Sequence, residues 1–439
     1  METINRKERG QILILLVLGI VVLLGFTALA LDGGMIYSDR RLSQNASDAS
    51  SLAGGGAAAL SLENDYVNYN SWNCIKTLDN PVYVAMQEAV SAAIDQAADN
   101  DFVIDEDEAD YNGVTAECTN VFNGVYWDRY IDVTTYISFT TDTSFIHFVY
   151  NGPVRNQVQA VTRVYPETEF SYGEAIVAHR EDCPNSNTGG VHFDGNAEVT
   201  VNGGGVFSSA CMRAGGSVDV DVNSGIVYTT DYHESGSPDI DPDPVDGDTV
   251  LPEHAYSIEA PDTACGELPD YGEHTGSGSI SRGNFSKIRL NNGNLNMSPG
   301  LYCLSGNFTI NGGELHGDGV TIYMTSGDFD SSGNATVQLS APTVVTNTKQ
   351  GIEGMLIYLG EDNTGSVSLL GSATSYYTGT VYAENPDSMI EIGGTGNQLD
   401  TFQTQLVGGT VFIHGNATID INFNGSESYK PPTQLELYK

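Results

Sequence analysis

Apolar residues follow three successive rhythms along this chain. The first is unbroken: Ile12 to Leu31 carries no charge. At 1.5 Å per residue a helix of that length covers about 30 Å, the thickness of a bilayer core. Arg6, Lys7 and Arg9 precede it and Asp32 follows. The positive-inside bias then places the N-terminus in the cytoplasm and the bulk of the chain outside. Ala28-Leu29-Ala30 has the small-x-small form of a signal-cleavage site. A retained anchor is the expectation, because a helical pattern runs straight on past the apolar stretch. Leu42, Ala46, Ala49, Ala53, Ala57 and Leu60 recur at helical steps, a small-residue stripe that another backbone can approach closely. Arg40, Gln44 and Asp48 form a polar row. Gly54-Gly55-Gly56 costs about 1 kcal/mol per residue against Ala, so fraying or a bend is expected there. Gly33-Gly34 is a second expected bend. A further amphipathic helix spans 82–98.

The second rhythm has period two. Val114 to Phe122, Arg129 to Thr140 and Val154 to Tyr165 read as strands. With the helices they make a small α+β headpiece over 32–166. Segment 144–150, SFIHFVY, is expected to lie under the helix, with His147 a core or edge histidine.

The third rhythm begins at Val191: short strands of Val, Ile, Phe and Thr, parted by Gly or Asn turns. Gly306-Asn307, Gly333-Asn334 and Gly415-Asn416 look like one corner reused. The expectation is an all-β region built as a right-handed parallel β-helix, with a β-sandwich as the alternative. Residues 167–230 form its first part and 283–428 its main part. Between them 231–282 reads as an acidic, Pro-rich excursion, and 429–439 as a C-terminal tail.

Charge then narrows the function classes. The 439 residues hold 57 acidic and 17 basic side chains, a net charge of −40. Such a surface repels nucleic acid. Cys74, Cys118, Cys183, Cys211, Cys265 and Cys303 all lie beyond the apolar stretch, and none makes CxxC. That argues for disulfides in an oxidising compartment, with sequential pairing expected. Asp239, Asp241, Asp243, Asp246 and Asp248 are the weak calcium candidates. An EF-type loop from Asp239 fails, because Pro244 stands where Gly is required and Val250 where Glu is required.

Arg9-Gly10-Gln11, the apolar span, Asp32-Gly33-Gly34, Gln44-Asn45-Ala46, Asp48-Ala49 and Leu52-Ala53 occur in that order. This combination resembles the N-terminal segment of the tight-adherence (Flp) pilus-assembly TadE/TadG-like proteins, over about residues 9–60. Ser50-Ser51 departs from the Ala-rich form usual there. The resemblance implies a bacterial envelope protein of pilus biogenesis or surface attachment, with pilus-assembly proteins or other copies of itself as partners, and implies no enzyme. The headpiece is then pilin-like in outline. Type IV pilins carry a Glu five residues after the cleaved Gly; after Gly10 that position is Leu15. A minor pilin-like subunit stays as a lesser alternative.

Catalytic chemistry was the competing class, since β-helices host polysaccharide-degrading enzymes. The polygalacturonase-type stations Asn-Thr-Asp, Asp-Asp and Gly-His-Gly do not occur. Neither do a complete Gly-x-Ser-x-Gly elbow, a P-loop or HExxH. Lys287 and Arg289 read as exposed strand cations. His233, His254 and His274 share the acidic region with Asp231 and Glu253, but their spacing demands no metal. The sequence thus predicts no catalytic residue and no cofactor, calcium apart. A surface-tethered polysaccharide-binding or polysaccharide-cleaving β-helix is the alternative function.

Overall fold

The computed structural model describes residues 9–438, except 105–110, 123–125, 147–149, 151, 185–188, 248–249, 253–254, 332–333, 371, 373 and 395–398. His147, Asp248, Glu253 and His254 lie outside the described residues. The chain forms two compact units. One holds the N-terminal residues through Val121, then Asp128–Glu167 and Pro432–Lys439; the other holds Phe122–Trp127 and Thr168–Pro431.

In the first unit, helix α1 (Arg9–Asn64) runs unbroken for 56 residues. The helix is not interrupted at Gly33-Gly34 or at Gly54-Gly55-Gly56. Helix α2 (Pro81–Asp99) starts with Pro at its first turn, and the Asn80 side chain accepts the Val82 amide. Strands β1 (Gly113–Phe122), β2 (Trp127–Thr141) and β3 (Val154–Tyr165) form a sheet in that order. β2 and β3 are antiparallel, with Ile131 opposite Val164 and Asp132 opposite Arg163. Alternation buries Ile131, Val133 and Ile137 against α2, whose Val82, Ala85, Met86, Ala89 and Ala93 are buried in the same core.

The expected C-terminal tail is instead a strand. Gln434–Leu437 adds antiparallel to β3, pairing Leu435 with Val164 and Leu437 with Thr162. It covers an edge that β3 otherwise leaves open, and its Leu-Glu-Leu alternation suits that place. The headpiece sheet is therefore assembled from chain segments on both sides of the second unit.

The second unit holds one 27-stranded sheet, and every recorded pairing in it is parallel. A β-sandwich needs antiparallel pairs, so that alternative fails on this sheet. Residues 20 apart stand side by side: Asn291 and Asn311 share a hydrogen bond of 2.9 Å, and Leu295 pairs with Leu315. Inward side chains build one core, among them Phe193, Val220, Leu295, Leu315, Val337 and Ile419.

Pairing order departs from chain order. From Asp270 onward each strand pairs with a later one, as far as Thr418–Asn422. The last strands then pair with the first: Leu406 with Ile176, Val411 with Val191, Ile419 with Val199. From there the ladder continues to Val245–Asp246. Glycines mark one corner across this seam. A Cβ on Gly195 would sit 2.4 Å from the Gly415 carbonyl, and one on Gly216 would sit 2.1 Å from the Gly195 carbonyl. All three have positive φ, so only Gly serves there.

The Pro-rich excursion is shorter than expected. Tyr232–Gly236, Asp239–Asp241 and Val245–Asp246 stay in the ladder, and pairing resumes at Asp270. Ile240, opposite Val220, packs on the core while Asp239 and Asp241 face solvent. Pro242 and Pro244 fall between strands, where no ladder N–H is needed. Between Val245–Asp246 at one end of the ladder and Asp270–Thr275 at the other, the described residues of 250–269 lie outside it. Of these, Leu251, Ile258, Ala264 and Leu268 cover an outward column in which Cys303, Tyr323, Tyr358, Tyr382, Val407, Val177, Phe207 and Val227 stand in register. Strands beneath it, such as Val320–Met324 and Met355–Leu359, are buried on both faces and read as continuous apolar runs.

Candidate functional site

Part of the N-terminal motif, Asp32 and Gln44, bonds to the headpiece at the joint where α1 enters it. Arg9, Gly10 and Gln11 open α1. Asp32 is 2% exposed although the apolar window before it is wholly unburied. Its carboxylate accepts the backbone N–H groups of Ser144 (2.8 Å), Phe145 (2.9 Å) and Ile146. One helix carboxylate thereby satisfies three amides of the β2–β3 connection, more than 100 residues away. Segment 144–146 does not lie beneath the helix as expected: Phe145 is 40% exposed.

One turn after another, small polar groups then lock α1 to its neighbours. Gln44 donates to Asp48 (2.7 Å) and to the Gln159 carbonyl (3.3 Å). Ser47 donates to the Thr135 carbonyl (2.9 Å), and Ser50 to the Ala93 carbonyl (2.6 Å). Thr162 donates to Ser51 (3.0 Å). Gly54 faces α2: a Cβ there would meet the Ala89 carbonyl at 2.7 Å and Val133 at 2.8 Å. Gly55 faces Thr162 and the C-terminal Leu435, at 2.5 and 2.8 Å.

The buried face is thus Ser43, Ser47, Ser50, Ser51, Gly54, Gly55 and Ala58. This corrects the expected stripe, of which only Ala46 is fully buried. Leu42 and Leu60 are exposed, and Ala49, Ala53 and Ala57 are intermediate. Hydropathy misplaced the face because serine hydroxyls bonded to carbonyls bury as readily as methyls, and Gly permits the closest approach. Of the other motif residues, Asn45 and Leu52 are exposed.

The C-terminal strand is clamped beside this joint. Arg163 makes a two-pronged ion pair with Asp132 (2.8 and 2.9 Å) and stacks on Tyr130 (3.6 Å) and Tyr438 (4.2 Å). The bond to Asp132 raises the Arg163 pKa still further.

The disulfides are Cys74–Cys118, Cys183–Cys211 and Cys265–Cys303, the sequential pairing. The first closes the loop before α2 onto β1, and the third ties the covering segment to the tyrosine column.

The described calcium candidates, Asp239, Asp241, Asp243 and Asp246, are all exposed. Asp239 and Asp241 project from one exposed strand beside Asp219 and Asp221, and Asp243 and Asp246 follow, exposed. Among the described residues no three His, Cys, Asp or Glu side chains group to hold a metal. His233 stands beside Arg213 near one end of the ladder and His274 beside Ile288 near the other. Lys287 pairs with Glu273 at 3.6 Å, and Arg289 bonds Asn291.

Sequence reasoning missed one cleft in the second unit, of about 870 Å³. Tyr256 stacks on His179 at 5.0 Å, Arg180 bonds Asp182 and Asp387, and Glu361 and Glu384 line it. Burial holds the His179 imidazole below its usual pKa, and its Nε2 lies 2.9 Å from the Ala383 carbonyl. Tyr358 donates to Glu384 at 2.6 Å. The cleft joins residues from distant stretches, so no local signal marks it.

Residues 10–59 match the family model for putative Flp pilus-assembly TadE/G-like proteins. No curated protein and no solved structure matches the chain. The matched stretch runs from the start of α1 past Gly54 and Gly55, and so contains Asp32 and the small-residue face. The joint by which this protein's long helix enters its headpiece therefore lies in a stretch similar to the putative Flp pilus-assembly TadE/G-like proteins.

Proposed function

We propose that this is a non-enzymatic envelope protein of tight-adherence (Flp) type pilus assembly or cell-surface attachment. The carrying observation is the family match over α1, whose apolar window is long enough to span a bilayer. In this reading residues 12–31 cross the membrane with Arg6, Lys7 and Arg9 on the cytoplasmic side. The headpiece and the parallel ladder stand outside, where disulfides form. Parallel pairing at a step of 20 residues supports a right-handed parallel β-helix as the second unit's fold. Partners are pilus-assembly proteins or further copies of the chain. The exposed side of α1, with Leu42, Leu52 and Leu60, is the surface they would meet. No cofactor enters this reading.

The test is a strain lacking the chain, complemented by full-length protein. Loss of pili or of attachment, with the protein in carbonate-resistant membranes and shaved by external protease, is the expected result. Normal pili and attachment, or a mature protein free in the medium starting beyond Ala30, would overturn it.

The cleft lined by Tyr256, Arg180, Glu361 and Glu384 favours a second reading, a tethered polysaccharide-binding protein. Saturable binding of acidic polysaccharide with added calcium, lost in Tyr256→Ala, distinguishes it.

A further inference from the structure

We propose that Ser144, Phe145 and Ile146, which follow β2, form a second membrane contact, seated at the headgroup level beside the point where α1 leaves the bilayer. This rests on the reading that residues 12–31 span the membrane. Asp32 is the first charge after that span, and it holds the backbone of Ser144, Phe145 and Ile146 directly.

Helix side chains lean toward the N-terminus, so a residue covers the turn before its own Cα. The Asp32 carboxylate therefore reaches back over the end of the apolar span, and the loop it holds lies at that depth. Ala28, one turn earlier on the same face, is half-buried while the rest of the window stays exposed.

The chemistry suits an interface. Three amides and one carboxylate satisfy one another, which removes the cost of bringing bare polar groups toward hydrocarbon. Outward, the loop shows Phe145, 40% exposed, and Tyr150, 53% exposed. Aromatic rings favour the headgroup region of a bilayer. Asp142 beside the loop and the net charge of −40 weigh against attraction to anionic lipid, so the contact is insertion of rings among zwitterionic headgroups.

All six native cysteines are disulfide-bonded, so one added thiol can be labelled selectively. Full-length Phe145→Cys, carrying an environment-sensitive fluorophore, is placed in phosphatidylcholine nanodiscs with lipid spin-labelled at the top of the acyl chain. Leu29→Cys reports the span and Glu88→Cys, exposed on α2, reports the headpiece. The same measurement on Ser144→Cys guards against disruption at Phe145.

Emission at Phe145→Cys and Ser144→Cys should fall by about half in spin-labelled discs, unchanged by salt, as for an aromatic belt. Glu88→Cys should not respond. If Leu29→Cys is quenched and both loop positions behave like Glu88→Cys, the loop contact is wrong and the anchor stands. If Leu29→Cys is not quenched either, the anchor reading fails and takes the loop contact with it.

Discussion

Three consecutive glycines in α1 meet three different surroundings. Gly54 and Gly55 are pressed against the Ala89 carbonyl, Val133, Thr162 and Leu435, whereas Gly56 has open space. Gly54→Val should therefore cost about 2 kcal/mol or more by overpacking. Gly56→Ala should add about 0.5–1 kcal/mol through helix propensity alone. Thermal unfolding of the two variants side by side checks both signs. Glu174 carries a pH dependence. The residue keeps part of its surface in solvent, but burial of its carboxyl lifts the pKa to about 7, against the lowering effect of the Gly205 amide. The folded state thus holds this proton more tightly than the unfolded chain, whose value lies near 4.5. Its contribution is fully present below the unfolded pKa and is lost as pH rises through about 7. Unfolding midpoints of Glu174→Gln should exceed those of the parent at pH 8, and the gap should close toward pH 5. A gap independent of pH would refute that account.

At the scale of elements, the covering segment 250–269 holds the outward aromatic column in place. Tyr323 donates to Asp262 at 2.9 Å, Tyr358 reaches the Ile258 carbonyl at 3.4 Å, and Cys265 is bonded to Cys303. Replacing both Cys265 and Cys303 with Ser should cost roughly 2–4 kcal/mol, since the bridge closes a loop of 38 residues. Limited proteolysis should then cut the covering segment before any ladder strand. First cleavage inside the ladder would contradict this. The element order here was only partly legible in the chain. Helices and strands announced themselves by period, but Gly306-Asn307 and Gly415-Asn416, expected to be one corner reused, lead into strands of different columns. The strands Tyr232–Gly236 and Asp239–Asp241 hid among aspartates and prolines, because a strand with one inward residue, Ile240, leaves almost no hydrophobic signal.

For the molecule as a whole, the seam matters most. The last rungs of the second unit pair with its first, so the chain enters and leaves that unit on adjacent strands, and Gln434–Leu437 completes the headpiece sheet. Truncation after Gly394 should leave Ile176–Ala178, Gly190–Gly195 and Glu198–Asn202 with an open edge, and β3 with another. Size-exclusion chromatography of the detergent-solubilised variant should show larger species than the full chain forms under the same conditions. A monodisperse variant of unchanged protease resistance would mean the seam is dispensable.

By itself the sequence determined the apolar span, both kinds of strand texture, the pairing of the cysteines in sequential order and the TadE/G-like start. All of these are patterns of hydropathy, turn chemistry or order along the chain, and they exist before the chain folds. Only the tertiary structure decided which face of α1 is buried, what Asp32 holds, where 250–269 lies and how the ladder closes on its own beginning. Those outcomes depend on hydrogen bonds and close approaches between residues from about forty to more than two hundred positions apart. Small side chains such as Ser47, Ser50 and Gly55 become a packing surface only when a partner carbonyl or methyl arrives to meet them.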